Sequence, residues 1–154
     1  MSSVSKPRVR HNRHKQGLNL TLEKLSADFR ELINKTNKTV AVTYKGYSYD
    51  SYSNEYAGDV VIPSSVNHEG ITYRVTSIGD GAFYECSSLT SIEIPNSVTS
   101  IGECAFLGCT NLTEVVIPDS VTTIGSGAFY GCENLTSIVI PDSVTEIGSS
   151  AFRG

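Results

Sequence analysis

The sequence predicts a repeat solenoid, rich in short β-strands and stacked one coil upon the next, and three observations carry that expectation. Segments 75–97, 98–120 and 121–143 superimpose without a gap at a period of 23 residues. Of those 23 positions, 12 are identical in all three copies, and a fourth copy begins at Val144 and runs to Gly154. Turn-forming residues recur at the same period as the apolar ones. A period of roughly 20–50 residues marks an array whose units bury their apolar faces only against their neighbours.

The identical positions divide by physical role. Val98 and Ile101 in VTSIG, and Leu112, Val115 and Ile117 in LTEVVI, are the apolar teeth of two short extended segments. Ala105 and Phe106 lie between them in a stretch long enough for one short helical or 3-10 turn. Stacked parallel strands sit about 4.7–4.9 Å apart, so Phe83, Phe106, Phe129 and Phe152 should form a continuous internal spine. Gly79, Gly102, Gly125 and Gly148 follow each VTxI, where a sharp turn with positive φ is expected. Pro95, Pro118 and Pro141 close the second strand of each copy, because proline cannot donate to a ladder. The following Asn96, Asp119 or Asp142 and then serine supply turn chemistry. Thr76, Thr99, Thr122 and Thr145 form one outward row, and Thr90, Thr113 and Thr136 another.

The pattern VTxIGxxAFxxCxxLTxIxIPxS, over residues 75–154, resembles the BspA-type, or Treponema pallidum-type, leucine-rich repeat. That resemblance implies a right-handed superhelix with a repeated concave sheet. It also implies a binding or adhesion role, commonly at cell surfaces. Residues 40–74 resemble the β-rich N-terminal cap that precedes such arrays. Within them, 59–66 (DVVIPSSV) reads as a degenerate copy of the repeat corner, and His68–Tyr73 as an inserted hairpin. Tyr44, Tyr47, Tyr49, Tyr52 and Tyr56 read as packing of this cap.

Residues 18–39 leave two forms open. Leu22, Leu25, Phe29, Leu32 and Ile33 fit one face of an amphipathic helix with Thr21 as its N-cap. Alternatively, Phe29–Asn34 pairs as the first cap strand ahead of Thr39–Tyr44. Either form would cover the first coil.

Charge separates the ends of the chain. Residues 1–40 hold nine Lys/Arg and three Asp/Glu, and residues 41–154 hold three and thirteen, giving +6 and -10 within a total of -4. The basic tail, residues 1–17, concentrates Lys6, Arg8, Arg10, Arg13 and Lys15, which would attract nucleic acid or an anionic membrane. No aromatic residues interleave them, which disfavours a stacking platform for single strands.

Catalytic chemistry finds no support. Cys86, Cys109 and Cys132 fall in one column as small buried free thiols; their parallel side chains point the same way, which disfavours disulfides. Cys104 forms no CxxC, and four convergent metal ligands are lacking. His11 and His14 stand in the basic tail, and His68 beside Glu69 has no nucleophile. Gly79–Gly81 and Gly125–Gly127 begin a GxGxxG but open no dinucleotide-binding unit. No catalytic residue, metal or cofactor is therefore expected. Apolar content of 39%, charged content of 18% and mean hydropathy of -0.10 fit a globular chain, and no apolar run approaches a membrane span. Surface members of the family carry an export signal, and none is visible here, which leaves cell surface and cytoplasm both open.

What remains is surface. Positions that vary between copies are those the fold does not dictate. On the second strand they are Ser91, Glu93, Glu114, Val116, Ser137 and Val139, turned outward by alternation. Val116 and Val139 side by side would form an apolar patch rimmed by Glu93 and Glu114. A second row is Tyr84, Leu107 and Tyr130, with Arg153. The expected function is a non-enzymatic protein-interaction module, adhesin-like or binding a host or extracellular matrix protein. The alternative is docking of the basic arm to nucleic acid or membrane, with the solenoid as carrier. Val144, Ile147, Ala151 and Phe152 should lie on an open edge, which invites either continuation as a longer array or self-association.

Overall fold

The first two full copies feed one extended segment into each of two sheets, the later ones into the first sheet alone, and the register between coils is the 23-residue period itself. The computed structural model describes residues 33–34, 36–43 and 56–154. The first sheet has seven strands. Its spine runs in the order β1 (Ile33–Asn34), β2 (Thr39–Val42), β5 (Ile71–Ile78), β7 (Ser100–Ile101), β9 (Thr123–Ile124) and β10 (Glu146–Ile147). The pair β4 (Ser65–His68) and β5 forms an antiparallel hairpin. Its turn places Glu69 and Gly70 at φ 50° and 77°, the two successive positive values a tight hairpin needs. The second sheet is β3 (Gly58–Val61), β6 (Leu89–Glu93) and β8 (Glu114–Val116), parallel throughout. Ser77, Ser100, Thr123 and Glu146 stand in one register row, and Ile78, Ile101, Ile124 and Ile147 in the next.

Near the N-terminus, β1 pairs antiparallel with β2 through Ile33↔Val40. Of the segment expected as either a helix or a first cap strand, only Ile33–Asn34 is described, as β1; residues 18–32, and with them the helix over 22–34 and the rest of the Phe29–Asn34 strand, lie outside the described residues. The basic tail and Tyr44, Tyr47, Tyr49 and Tyr52 also lie outside them. The degenerate copy at 59–66 supplies β3, paired to β6 as a repeat would be.

Between the two strands of each coil the chain forms turns, not the helical or 3-10 segment read from the sequence, and no helix occurs among the described residues. The reason lies in where the amides point. Ala82 and Tyr84 donate within the coil, to Gly79 and Gly81 (3.2 and 3.0 Å), while Phe83 between them donates to Ala105 of the next coil (2.7 Å). The same alternation recurs at Phe106→Ala128 and Phe129→Ala151, both 2.7 Å. Consecutive internal bonds, which a 3-10 segment requires, are therefore never made. The alternation uses two left-handed positions per coil. One is Gly81, Cys104, Gly127 and Ser150 (φ 61°, 52°, 61° and 56°), and the other Glu85, Gly108 and Gly131 (φ 50°, 72° and 70°).

Gly79, Gly102, Gly125 and Gly148 are not among them, contrary to the expectation of positive φ. They are glycine because the preceding coil occupies the space of a side chain. A Cβ at Gly125 would lie 2.5 Å from the Glu103 nitrogen and the Gly102 carbonyl carbon, and one at Gly102 2.7 Å from the Gly79 carbonyl carbon.

The core follows the same stacking. Phe83, Phe106, Phe129 and Phe152 form a parallel ring column with centroids 5.0, 5.0 and 5.4 Å apart and planes within 6°. Tyr56 caps one end: its ring lies 4.8 Å from Phe83, tilted 52°, and its hydroxyl donates to the Thr43 carbonyl at 3.1 Å. At the other end Phe152 is 38% exposed. Cys86, Cys109 and Cys132 are buried free thiols. The Cys109 and Cys132 thiols donate to the Phe83 and Phe106 carbonyls at 3.0 and 3.1 Å. Burial pushes the Cys132 thiol from its ordinary 9.0 up to about 11, and raises Cys109 further.

Outer rows stack too. Thr99 and Thr122 each donate through both amide and hydroxyl to the threonine carbonyl of the coil before, at 2.8 and 3.2 Å. Asn111 and Asn134 side chains donate to the Ser87 and Thr110 carbonyls at 2.8 and 2.6 Å.

Two expectations about the final coil change. Ala151 is buried, not exposed, because its carbonyl accepts the Phe129 amide inside the stack; Ile147 and Phe152 are exposed and Val144 is half-buried. Residues 137–139 form no strand. Thr136 donates to Asn134, whereas its counterpart Thr113 donates across to Thr90. The half coil from Val144 to Gly154 stacks on the first strand and turns of the third copy, but no described segment lies beyond 135–140. Leu135, Ile138 and Ile140 are consequently only half-buried, while Leu112 is wholly enclosed.

Five outcomes follow from this packing. Phe106→Ala removes a ring stacked on both sides and should cost about 3–5 kcal/mol in urea unfolding, more than Phe152→Ala. Gly125→Ala should destabilise more than Gly127→Ala, which meets only a φ penalty of about 1–2 kcal/mol. In the same unfolding series Cys104→Gly should stabilise, since relief at φ 52° exceeds the added chain entropy of about 0.4–1 kcal/mol. At pH 8 a thiol reagent should modify Cys104, half-exposed, well before the three buried thiols. Because the folded thiol pKa is raised, the stability it contributes is complete below about pH 9 and should fall between 9.0 and about 11 for Cys132, measurable as an alkaline drop in the urea midpoint.

Candidate interaction face

Strand alternation builds the face. In the second sheet Val60, Ile92 and Val115 sit in one register row and are buried. The rows on either side point out: Asp59, Ser91 and Glu114 in one, Val61, Glu93 and Val116 in the other. Val116 is 63% exposed, and Glu93 and Glu114 are exposed. Asp59 is fixed by two hydroxyls, accepting from Ser91 at 2.7 Å and Thr90 at 2.9 Å. Together these rows line an open groove of about 750 Å³, with Asn96, Pro118 and Asp119 of the adjoining turns on its wall. The charged residues of the lining are Asp59, Glu93, Glu114 and Asp119; no Lys, Arg or His lines it.

Of the six residues expected on this face, Ser91, Glu93, Glu114 and Val116 come together. Ser137 and Val139 are exposed, Val139 at 81%, but belong to the unpaired 135–140 segment and do not line the groove. Val116 and Val139 are therefore not ladder neighbours. Asp59 and Val61 were missed. The signal was present: DVVIPSSV aligns with SIEIPNSV of the first full copy, which sets Asp59 opposite Ser91 and Val61 opposite Glu93.

The second row is less open. Tyr84 and Leu107 are half-buried, and Tyr130 is 40% exposed, on the turns that carry the cross-coil bonds. Chemistry is sparse elsewhere among the described residues. His68 lies 3.9 Å from Glu69 with no nucleophile beside it. Cys104 has its thiol raised by burial and then by the charges of Glu103 and Asp80, the reverse of an activated nucleophile. No group of three or more metal-ligating side chains occurs there, and no helix is long and apolar enough to cross a membrane.

Comparison with known proteins agrees with this geometry. Residues 76–154 match the model of the BspA type leucine rich repeat region, in six copies. Among solved structures, the leucine rich repeat protein of T. pallidum is 29% identical with a TM-score of 0.60, over 84% of this chain and 66% of that one. A leucine rich cell surface protein from Faecalibacterium prausnitzii A2-165 is 37% identical with a TM-score of 0.59, over 83% of this chain and 31% of that one. A leucine-rich repeat protein from Bacteroides capillosus is 29% identical with a TM-score of 0.59, over 82% and 86%. The chain thus spans less than two thirds of the length of the first two. No curated protein matches it. On the 23-residue register, the parallel pairing between coils in two sheets and the family match together, the chain belongs to the BspA-type leucine-rich repeat family.

Proposed function

We propose that the chain is a non-enzymatic protein-interaction module that holds an extended polypeptide against the groove of β3, β6 and β8, in an adhesin-like role at a cell surface. One observation carries this: the rows inside the sheet are invariant in type, while the outward rows change from copy to copy and leave Val116 63% exposed. Exposed apolar side chains rimmed by polar ones mark interaction sites. An open groove on a sheet face also has room for an extended chain, which turns alternate side chains toward the surface. The surface assignment draws on the Faecalibacterium relative, described as a cell surface protein. The basic-arm reading, with nucleic acid or anionic membrane as partner, has no described residue to support it.

The test is affinity capture with the immobilised chain from preparations of surface and extracellular proteins. The Glu93→Ser, Glu114→Ser, Val116→Ser variant should capture its specific partner about tenfold less well, the 1.4 kcal/mol that a central interface residue supplies. Thr122→Ser, just ahead of β9 in the other sheet, should leave capture unchanged. Yield insensitive to the triple variant would overturn the assignment of this face.

A further inference from the structure

The groove is one-sided in charge, and this chain also carries the opposite charge in a compact segment. All four ionisable residues of the groove lining are acidic. Residues 41–154 hold three Lys/Arg against thirteen Asp/Glu, while the first forty residues carry a net of +6. Within 4–17 (VSKPRVRHNRHKQG) the cations Lys6, Arg8 and Arg10 recur at every second position. In an extended segment that spacing puts them on one side, about 6.6–6.8 Å apart.

We infer that residues 4–17 of this same chain dock along the groove of β3, β6 and β8, lying over Glu114, Asp119 and Val116. This deepens the reading of that face as a docking surface for extended polypeptide and rests on it; the partner class it names is a cationic, extended segment. Charge complementarity selects the occupant. The apolar Val116 has a counterpart in Val4 or Val9 of the same segment. The tether is long: seventeen residues lie between Lys15 and Ile33 at the start of β1, and at about 3.3–3.6 Å per residue they span at most about 60 Å. Tethering matters because exposed ion pairs are individually weak, about 0–1 kcal/mol, whereas a linked segment acts at an effective concentration of the order of millimolar. An external ligand of the face must then displace the arm.

The full-length chain tests this, with Lys6, Arg8, Arg10, Arg13 and Lys15 all changed to Ser as the comparison. None of the five lies in the described fold, and an unchanged thermal midpoint verifies that. At low salt, the amide and methyl resonances of Ser91, Glu93, Glu114 and Val116 should differ between the native chain and the variant. In about 1 M salt, where the screening length falls to about 3 Å, the native spectrum should collapse onto that of the variant. A synthetic peptide of residues 4–17, titrated into the variant, should restore the native shifts saturably, and Glu114→Gln with Asp119→Asn should abolish that effect. Coincident spectra at low salt would overturn the inference. Shifts that grow with protein concentration would overturn it in favour of a second copy. Should the spectra coincide while capture still depends on Glu93, Glu114 and Val116, the arm fails and the face stands. Should the arm dock as expected while capture ignores the face, the docking stands and the proposed function fails.

Discussion

Everything in the repeats is subordinate to one spacing, the distance between coils imposed by backbone hydrogen bonds. Rows of such bonds tie coil to coil: one along the first sheet, one in the second sheet as far as β8, and one through the turns, where Phe83, Phe106 and Phe129 donate across at 2.7 Å. Once set, that spacing fixes what each side chain can be. Phenylalanine rings repeated at about 5 Å stack parallel. A threonine hydroxyl, an asparagine amide or a thiol can reach the carbonyl one coil back. At Gly102 and Gly125 nothing larger than hydrogen fits. The strict period is therefore a packing rule before it is a functional one.

That rule explains how much could be read from residues alone. The spine, the thiol column, the threonine rows and the proline corners were legible because stacking turns a repeated letter directly into a repeated contact. The turn was not. Ala-Phe flanked by glycines looks like one helical turn, and only the outward aim of every second amide forbids it. The glycines were assigned the wrong cause for a related reason. Gly102 and Gly127 look alike in sequence, yet one answers to the backbone below it and the other to its own φ. Left-handed Cys104 and Ser150 hid the second class further, since half of its members are not glycine. On the groove, the varying positions were found, but Asp59 was not, because only the IPxSV corner of its degenerate copy was aligned.

The two ends of the Phe column show what a neighbour contributes. At the first coil Tyr56 closes the spine with its ring while spending its hydroxyl on Thr43, so a residue with one apolar face and one polar tip suits a site where the core meets the cap. Across the third copy, residues 135–140 keep the repeat's sequence and lose its strand. Leu135 stands in the place of Leu112, with the same chemistry, and is half-buried where Leu112 is fully enclosed. Identity of residues is thus insufficient for a strand here; the packing around a copy enters as well, as expected of nearest-neighbour architectures.

The same logic separates scaffold from recognition. Outward threonines at Thr99, Thr122 and Thr145 are fixed by their bonds to the coil before, so that surface has little freedom to specialise. The outer rows of β3, β6 and β8 hold Ser91, Glu93, Glu114 and Val116 in place of a repeated letter, with Asp59 accepting from Ser91 and Thr90. Clustered carboxylates repel one another, and an aqueous groove tolerates them only because water screens the charge. Excluding that water with a neutral segment would strengthen their repulsion, whereas a cationic segment would relieve it. Charge pattern alone thus ranks the polypeptides this surface can accept, and the freedom to set that pattern exists because the stack is secured by other residues.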